Sequence, residues 1–279
     1  MNWLVLALVN IVSISIGNLY QRKAMQAEDS DPIGYAIVFQ FLLGFAVLLF
    51  AMVVGFKLPP IATYPLNFAL SAVFYGIGTL CMFQAAKLIE ASELTIIAAL
   101  GSMVTIIASV IVLHENFSLQ QALGVLLIFI AIIMVQKKRS LKLDRGAWWG
   151  VVGTCLFGLA VVSDVFVIKH FDPVSYAVAM CFMPGILLLC LFPRKIKVFK
   201  PIVSSGRNLF IFVFLYAIQV ISYYAALGLG ANASQLSPIT RAQIILTVLL
   251  SAIFLRERDR LWLKLGAAIL TTAGVLLIT

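Results

Sequence analysis

The sequence predicts an all-α membrane protein, ten transmembrane helices arranged as two inverted five-helix repeats. Three observations carry that prediction. The first is composition: 63% of the 279 residues are hydrophobic, 11% are charged and the mean hydropathy is +1.09, against about 25% charged residues in a soluble domain. The second is a succession of apolar runs near the ~20 residues that carry a helix across a bilayer. Lipid leaves no backbone polar group a partner, so such runs form helices; the alternating pattern of a barrel strand is missing. The third is an internal repeat with an odd number of runs in each half.

Taken in order, the runs span 3–21, 33–56, 66–86, 94–113, 120–136, 147–168, 174–193, 208–230, 233–255 and 261–279. Nothing before the first resembles the basic segment of a signal peptide, and no small-residue cleavage site follows it, so it reads as a retained span. Asp31-Pro32 opens the second. Pro59-Pro60 and Pro65 break the chain before the third, Pro173 opens the seventh, and Pro201 with Ser204-Ser205-Gly206 separates the seventh from the eighth, because proline lacks the donor a continuing helix needs.

Loops after odd-numbered runs hold Arg22, Lys23, Lys87, Lys137, Lys138, Arg139, Lys142, Arg145, Arg194, Lys195, Lys197, Lys200, Arg207, Arg256, Arg258, Arg260 and Lys264; loops after even-numbered runs hold only Lys57 and Lys169. Basic residues are retained on the cytoplasmic side, so this asymmetry places both chain ends outside the cytoplasm. The net charge of +9 therefore points to the anionic leaflet of a bilayer and not to nucleic acid. Lys264, near the start of its run, is expected to snorkel to the interface. Cys81, Cys155, Cys181 and Cys190 lie in apolar runs without metal or redox spacing and read as small hydrophobes.

Asp31-Pro32-Ile33-Gly34-Tyr35-Ala36 recurs as Asp172-Pro173-Val174-Ser175-Tyr176-Ala177. Leu113-His114-Glu115 with Leu123-Gly124 recurs as Leu255-Arg256-Glu257 with Leu265-Gly266. The repeat divides the chain at 1–139 and 140–279. Five spans per half force the second half to cross in the opposite sense, the architecture of secondary carriers.

These motifs, with the polar turn Asn116-Phe117-Ser118 and Ala273-Gly274-Val275 in the last run, resemble the ends of the two halves in the drug/metabolite transporter superfamily, specifically its ten-helix EamA-type branch. The resemblance covers essentially the whole chain. It implies a cavity lined by helices one, three, four, six, eight and nine, rocking of the halves about it, and both termini in the cytoplasm, opposite to the charge asymmetry. His114 and Arg256 stand where the family usually has glycine before the glutamate.

Two charges fall inside spans. Arg241 lies within 233–255 and Asp164 within 147–168; a guanidinium in hydrocarbon costs at least ~2.5–3.5 kcal/mol, so it must face protein or water. Both lie toward the same membrane face and are expected to meet, either as a salt bridge tying helix six to helix nine or as cavity groups. In the second reading Arg241 binds a substrate carboxylate and Asp164 exchanges a coupling proton. Pro238, after Ser237 and close to Gln235, Thr240 and Gln243, would free a carbonyl in the ninth span. Tyr216, Gln219 and Tyr223 share one helical face, a candidate cavity floor or an interfacial belt. Asn18 and Gln40 are polar for their depth, suited to substrate or to interhelical hydrogen bonds. Glu90 and Glu93 flank a tight turn, where they cap helix ends or pair with Lys87; Glu90 is a second proton-coupling candidate. His114 and His170 are too few and too distant for a metal site.

The expected function is a secondary active transporter of the cell (inner) membrane, monomer or homodimer, without cofactor. Its cargo would be a small polar or amphipathic molecule, an amino-acid-like zwitterion by preference, moved by alternating access and a coupling proton or ion, since no phosphate-binding loop is encoded. The rivals are a membrane-embedded lipid-processing enzyme, for which clustered acids or histidines are missing, and a non-transporting receptor, which has no need of an inverted repeat.

Overall fold

The computed structural model describes residues 3–26, 30–113, 118–135, 144–168, 171–198, 202, 206–228, 240 and 242–278. In chain order they form α1 (Trp3–Met25), α2 (Pro32–Val54), α3 (Pro65–Leu88), α4 (Ala91–Ala98), α5 (Leu100–Leu113), α6 (Leu119–Val135), α7 (Arg145–Ile168), α8 (Pro173–Leu191), a short 3₁₀ helix (Pro193–Val198), α9 (Arg207–Gly228), α10 (Gln243–Phe254) and α11 (Leu261–Ile278). Five described helices, Trp3–Met25, Pro32–Val54, Pro65–Leu88, Arg145–Asp164 and Val174–Leu191, are long and apolar enough to cross a membrane; five more apolar segments are shorter.

Local chemistry sets the boundaries. Pro32, Pro65 and Pro173 each start a helix, where the missing N–H costs nothing. Asp172 caps α8 by accepting from the Ser175 N–H at 2.8 Å, whereas Asp31 caps α2 without a side-chain bond and instead pairs with Lys195 at 2.6 Å. Gly55 closes α2 at φ +116°, donating to the Ala51 carbonyl at 2.8 Å, a left-handed conformation that glycine adopts without steric cost.

The fourth span differs from expectation. It starts at Ala91 and is broken at Ala99, where the Ala99 N–H bonds the Ile96 carbonyl and the Ser102 N–H bonds the Ala99 carbonyl. This tightening to the shorter three-residue bond pattern coincides with the crossing of α7: a Cβ on Gly158 would lie 2.8 Å from the Gly101 oxygen, and the Thr105 hydroxyl donates to both Gly101 and Gly158 carbonyls at 2.9 and 3.2 Å. Among lipids no hydrophobic force drives helices together, so close backbone approach and polar bonds do that work, and the break in the fourth span lies beside this crossing.

The packing shows the inverted repeat. α7 of the second half packs most extensively against α3 of the first, and α1 of the first against α9 of the second; α2 pairs with α8, and α6 with α11. Exchanging each helix for its repeat mate turns the α1–α9 contact into α7–α3 and returns the α2–α8 and α6–α11 pairs to themselves. A two-fold relation between halves produces this pattern, and with five spans in each half its axis lies in the membrane plane. One apolar cluster, with Phe39, Phe83, Ile96, Ile128, Leu188, Phe212 and Val248, runs through both halves. Cys81 and Cys181 are buried in it or beside it, Cys155 is half-buried, and Cys190 is exposed.

Candidate functional site

Two buried polar groupings join the halves, one toward each membrane face. The first centres on Asp164, 7% exposed, near the end of α7. Its Oδ1 accepts from the Ser71 hydroxyl at 2.7 Å and the Tyr176 hydroxyl at 2.5 Å, and its Oδ2 from the Tyr75 hydroxyl at 2.6 Å. Three hydroxyls thus converge on one carboxyl group. Ser71 and Tyr75 stand one turn apart on α3 of the first half, while Tyr176 opens α8 of the second. The carboxylate therefore ties α7 to both halves, about 6 Å from the end of its helix at ~1.5 Å per residue.

The second grouping surrounds the two-residue turn between α3 and α4, on the face that carries the basic loops, called below the basic face. Arg22, from the end of α1, donates through Nη1 to the carbonyls of Ala86 and Lys87 at 2.6 and 2.8 Å. Its Nε lies 3.6 Å from Oε1 of Glu257, which belongs to the second half. Glu257 in turn accepts from the Ala91 N–H through both oxygens, at 3.3 and 3.1 Å, so a carboxylate from one half caps the helix α4 of the other, where the helix dipole favours negative charge. Lys264 of α11, 2% exposed, forms an ion pair with Glu90, and Glu93 is buried in the first turn of α4. The segment that presents Glu257 is strained: Arg256 and Arg260 adopt φ +57° and +52°, a left-handed region disfavoured for side chains with a Cβ. Burial, then the neighbouring Glu90 carboxylate, pushes the Glu257 carboxyl above the ordinary carboxylate range; the Ala91 N–H, Arg22 and the Ser92 N–H oppose this.

One expectation at this face is corrected. Lys264 does not snorkel to the interface, because Glu90 supplies an anion inside the protein. Glu90 pairs with this lysine of the other half, and the Lys87 ammonium donates to the Ser30 carbonyl at 2.6 Å.

The other described sequence candidates contact neighbouring helices. Asn18 reaches the Thr95 hydroxyl at 3.5 Å, and Gln40 donates to the Thr79 hydroxyl at 2.7 Å. The backbone carbonyl of Gln219 accepts from Asn10 at 2.8 Å. Tyr216 stands edge-on to Phe39 and Phe212, with ring centroids 5.4 and 5.6 Å away, and Tyr223 packs against Leu6 and Ala7. Arg241, Gln235, Ser237 and Pro238 lie outside the described residues, as do His114, Glu115 and His170. The structure thus draws Asp164 together with three hydroxyls that sequence reasoning did not select. Ser71 and Tyr75 at helical i, i+4 spacing, and Tyr176 inside the repeated Asp-Pro motif, were the available signals.

A helical bundle of inverted halves, with charged and hydroxyl groups buried where the halves meet, defines a polytopic membrane transporter in architecture. The chain belongs to the EamA-like transporter family, whose model matches residues 1–136 and 144–279, a branch of the drug/metabolite transporters. No curated protein matches it. Among solved structures, one described only as a crystal structure of a protein is similar over 97% of this chain and 94% of its own, with a TM-score of 0.61 and 13% identity. That likeness is one of fold.

Proposed function

We propose that the protein is a secondary carrier that moves a small polar or amphipathic metabolite, an amino-acid-like zwitterion, by rocking of residues 1–139 against residues 140–279. The observation that supports this reading most is Asp164: a carboxylate buried at membrane depth, held by hydroxyls from both halves. An acid at membrane depth is costly, and such groups mark substrate or proton paths. In this mechanism Asp164 exchanges a coupling proton or meets a substrate ammonium, and Arg241 meets the carboxylate. Tyr216, Gln219, Tyr223, Asn18, Gln40 and Gln235 line the path between. Hydroxyl donors suit such a role because each can rotate and accept once Asp164 is protonated. The basic loops orient the chain in the inner membrane with both ends outside the cytoplasm.

A thermal-shift screen of purified protein against amino acids and related zwitterions tests the reading, since ligands that bind the folded state raise its melting temperature. Asp164→Asn and Arg241→Ala should each abolish the shift and the corresponding uptake into proteoliposomes while leaving folded protein. Restored transport in the double variant Asp164→Ala, Arg241→Ala would instead make the pair structural.

A further inference from the structure

The ion pairs at the basic face are reciprocal. Arg22 of the first half meets Glu257 of the second, and Lys264 of the second meets Glu90 of the first. All four converge on the α3–α4 turn, where Arg22 also holds two carbonyls and Glu257 holds the first N–H of α4. By contrast, the α2–α8 and α6–α11 contacts between the halves are mainly apolar seams; one further ion pair, Asp31 with Lys195 at 2.6 Å, joins the halves beside the start of α2.

That difference in chemistry matters for motion. Parting an apolar seam in water exposes hydrocarbon and costs free energy in proportion to area. Parting a buried ion pair returns two charges to water, and the hydration regained nearly offsets the Coulombic attraction lost. A reciprocal ionic contact can therefore hold two bodies in register yet open at small net cost. The positive φ of Arg256 and Arg260 on either side of Glu257 adds strain that opening can relieve.

We propose that Arg22, Glu257, Glu90 and Lys264 form the latch that closes the transport path at the basic face. The latch engages when the second half clamps the α3–α4 turn and parts when that face opens. The proposal rests on the carrier reading above. It assigns a role to four residues that this reading leaves outside the path.

The test reads access and not flux, so its outcome does not depend on whether any substrate is transported. Cys81, Cys155, Cys181 and Cys190 are replaced by alanine or serine, and Thr95→Cys is introduced. Thr95 is 7% exposed and lies one turn below Ala91. Membrane vesicles of each sidedness are treated with a charged, impermeant maleimide; Arg207→Cys, at an exposed site on the basic face, identifies which preparation presents that face. Glu257→Gln and Lys264→Met should each raise the labelling rate of Thr95→Cys from the basic face about tenfold or more, the population change of a ~1.4 kcal/mol shift, with no rise from the opposite face. The exchange Glu90→Lys with Lys264→Glu should return labelling toward the parent rate. If either variant fails to fold, Glu90→Gln, which leaves the Lys264 ammonium without its counter-charge in the closed form, carries the same expectation. Parent-rate labelling in these variants, or an equal rise from both faces, overturns the latch.

Discussion

Lys264 offers the sharpest energetic test. It is the most buried charged side chain among the described residues, 2% exposed, and its partner Glu90 has a side chain 14% exposed. Lys264→Met keeps most of the aliphatic stem and deletes the ammonium. Removing one member of a buried ion pair typically costs ~3–5 kcal/mol, because the remaining charge keeps its desolvation penalty without its counter-charge. Residual water at Glu90 moves the expectation to the lower end, about 3 kcal/mol. At ~2–4 °C per kcal/mol for a chain of this size, the melting temperature in detergent should fall by roughly 6–12 °C. Glu90→Gln alone should cost a comparable amount, and the double variant should lie within about 1.5 kcal/mol of the parent, since no charge is then stranded. The assay is a double-mutant cycle by thermal unfolding at fixed detergent and pH. Single variants that each cost under ~1 kcal/mol, with a coupling below ~0.5 kcal/mol, would refute the reasoning that this pair is closed off from solvent.

Three further outcomes follow from the same geometry. Gly158→Ala should destabilise by about 1–3 kcal/mol, because the new methyl would meet the Gly101 carbonyl oxygen at 2.8 Å and backbone cannot swing aside; an unchanged melting temperature would contradict that crossing. Arg256→Gly should stabilise by roughly 0.5–1 kcal/mol, the left-handed penalty relieved less the entropy glycine adds to the unfolded chain; a fall in stability would mean that the exposed Arg256 side chain makes a contact worth more than its strain. For Glu257 the folded carboxyl lies above its ordinary value of 4.5, so between 4.5 and the raised value the folded protein holds a proton that the unfolded chain has released. The stability this group contributes is complete below pH 4.5 and is lost as pH rises through the raised value. Arg22, Glu90, Glu93 and Lys264 surround it, so the check is comparative: Glu257→Gln should flatten the fall in melting temperature with rising pH, and an unaltered slope would reject the assignment.

The fold was legible because membrane insertion leaves a coarse and obligatory record. Runs of ~20 apolar residues have few structural alternatives in lipid, and Asp31-Pro32 and Asp172-Pro173 announce the repeat through a chemistry that helix starts require. The break at Ala99 was not legible: Ile96–Leu100 contains no proline, and the close approach of Gly158 to Gly101 beside it joins residues nearly sixty positions apart in sequence. Asp164 stood out because a lone carboxylate in an apolar run is costly. Its hydroxyl donors did not, since Ser71, Tyr75 and Tyr176 are ordinary residues until three helices converge on one carboxylate. Lys264 misled for a related reason. A lysine near a helix end usually reaches water, and only the tertiary arrangement reveals that Glu90, 174 residues earlier, waits inside the protein. Arg256 is the converse case: resemblance suggested glycine at its position, and φ +57° supplies the physical reason.

The central claim, that two inverted halves alternate access to a path passing Asp164, is tested most directly by counterflow. Proteoliposomes preloaded with an unlabelled zwitterion selected by thermal shift are diluted into the labelled compound at trace concentration, with no ion gradient. A carrier of this design accumulates label transiently against its own concentration, and Asp164→Asn abolishes or strongly slows that overshoot. Uptake that rises only to equilibrium regardless of internal substrate, or an overshoot of parental size and rate in Asp164→Asn, would contradict the account.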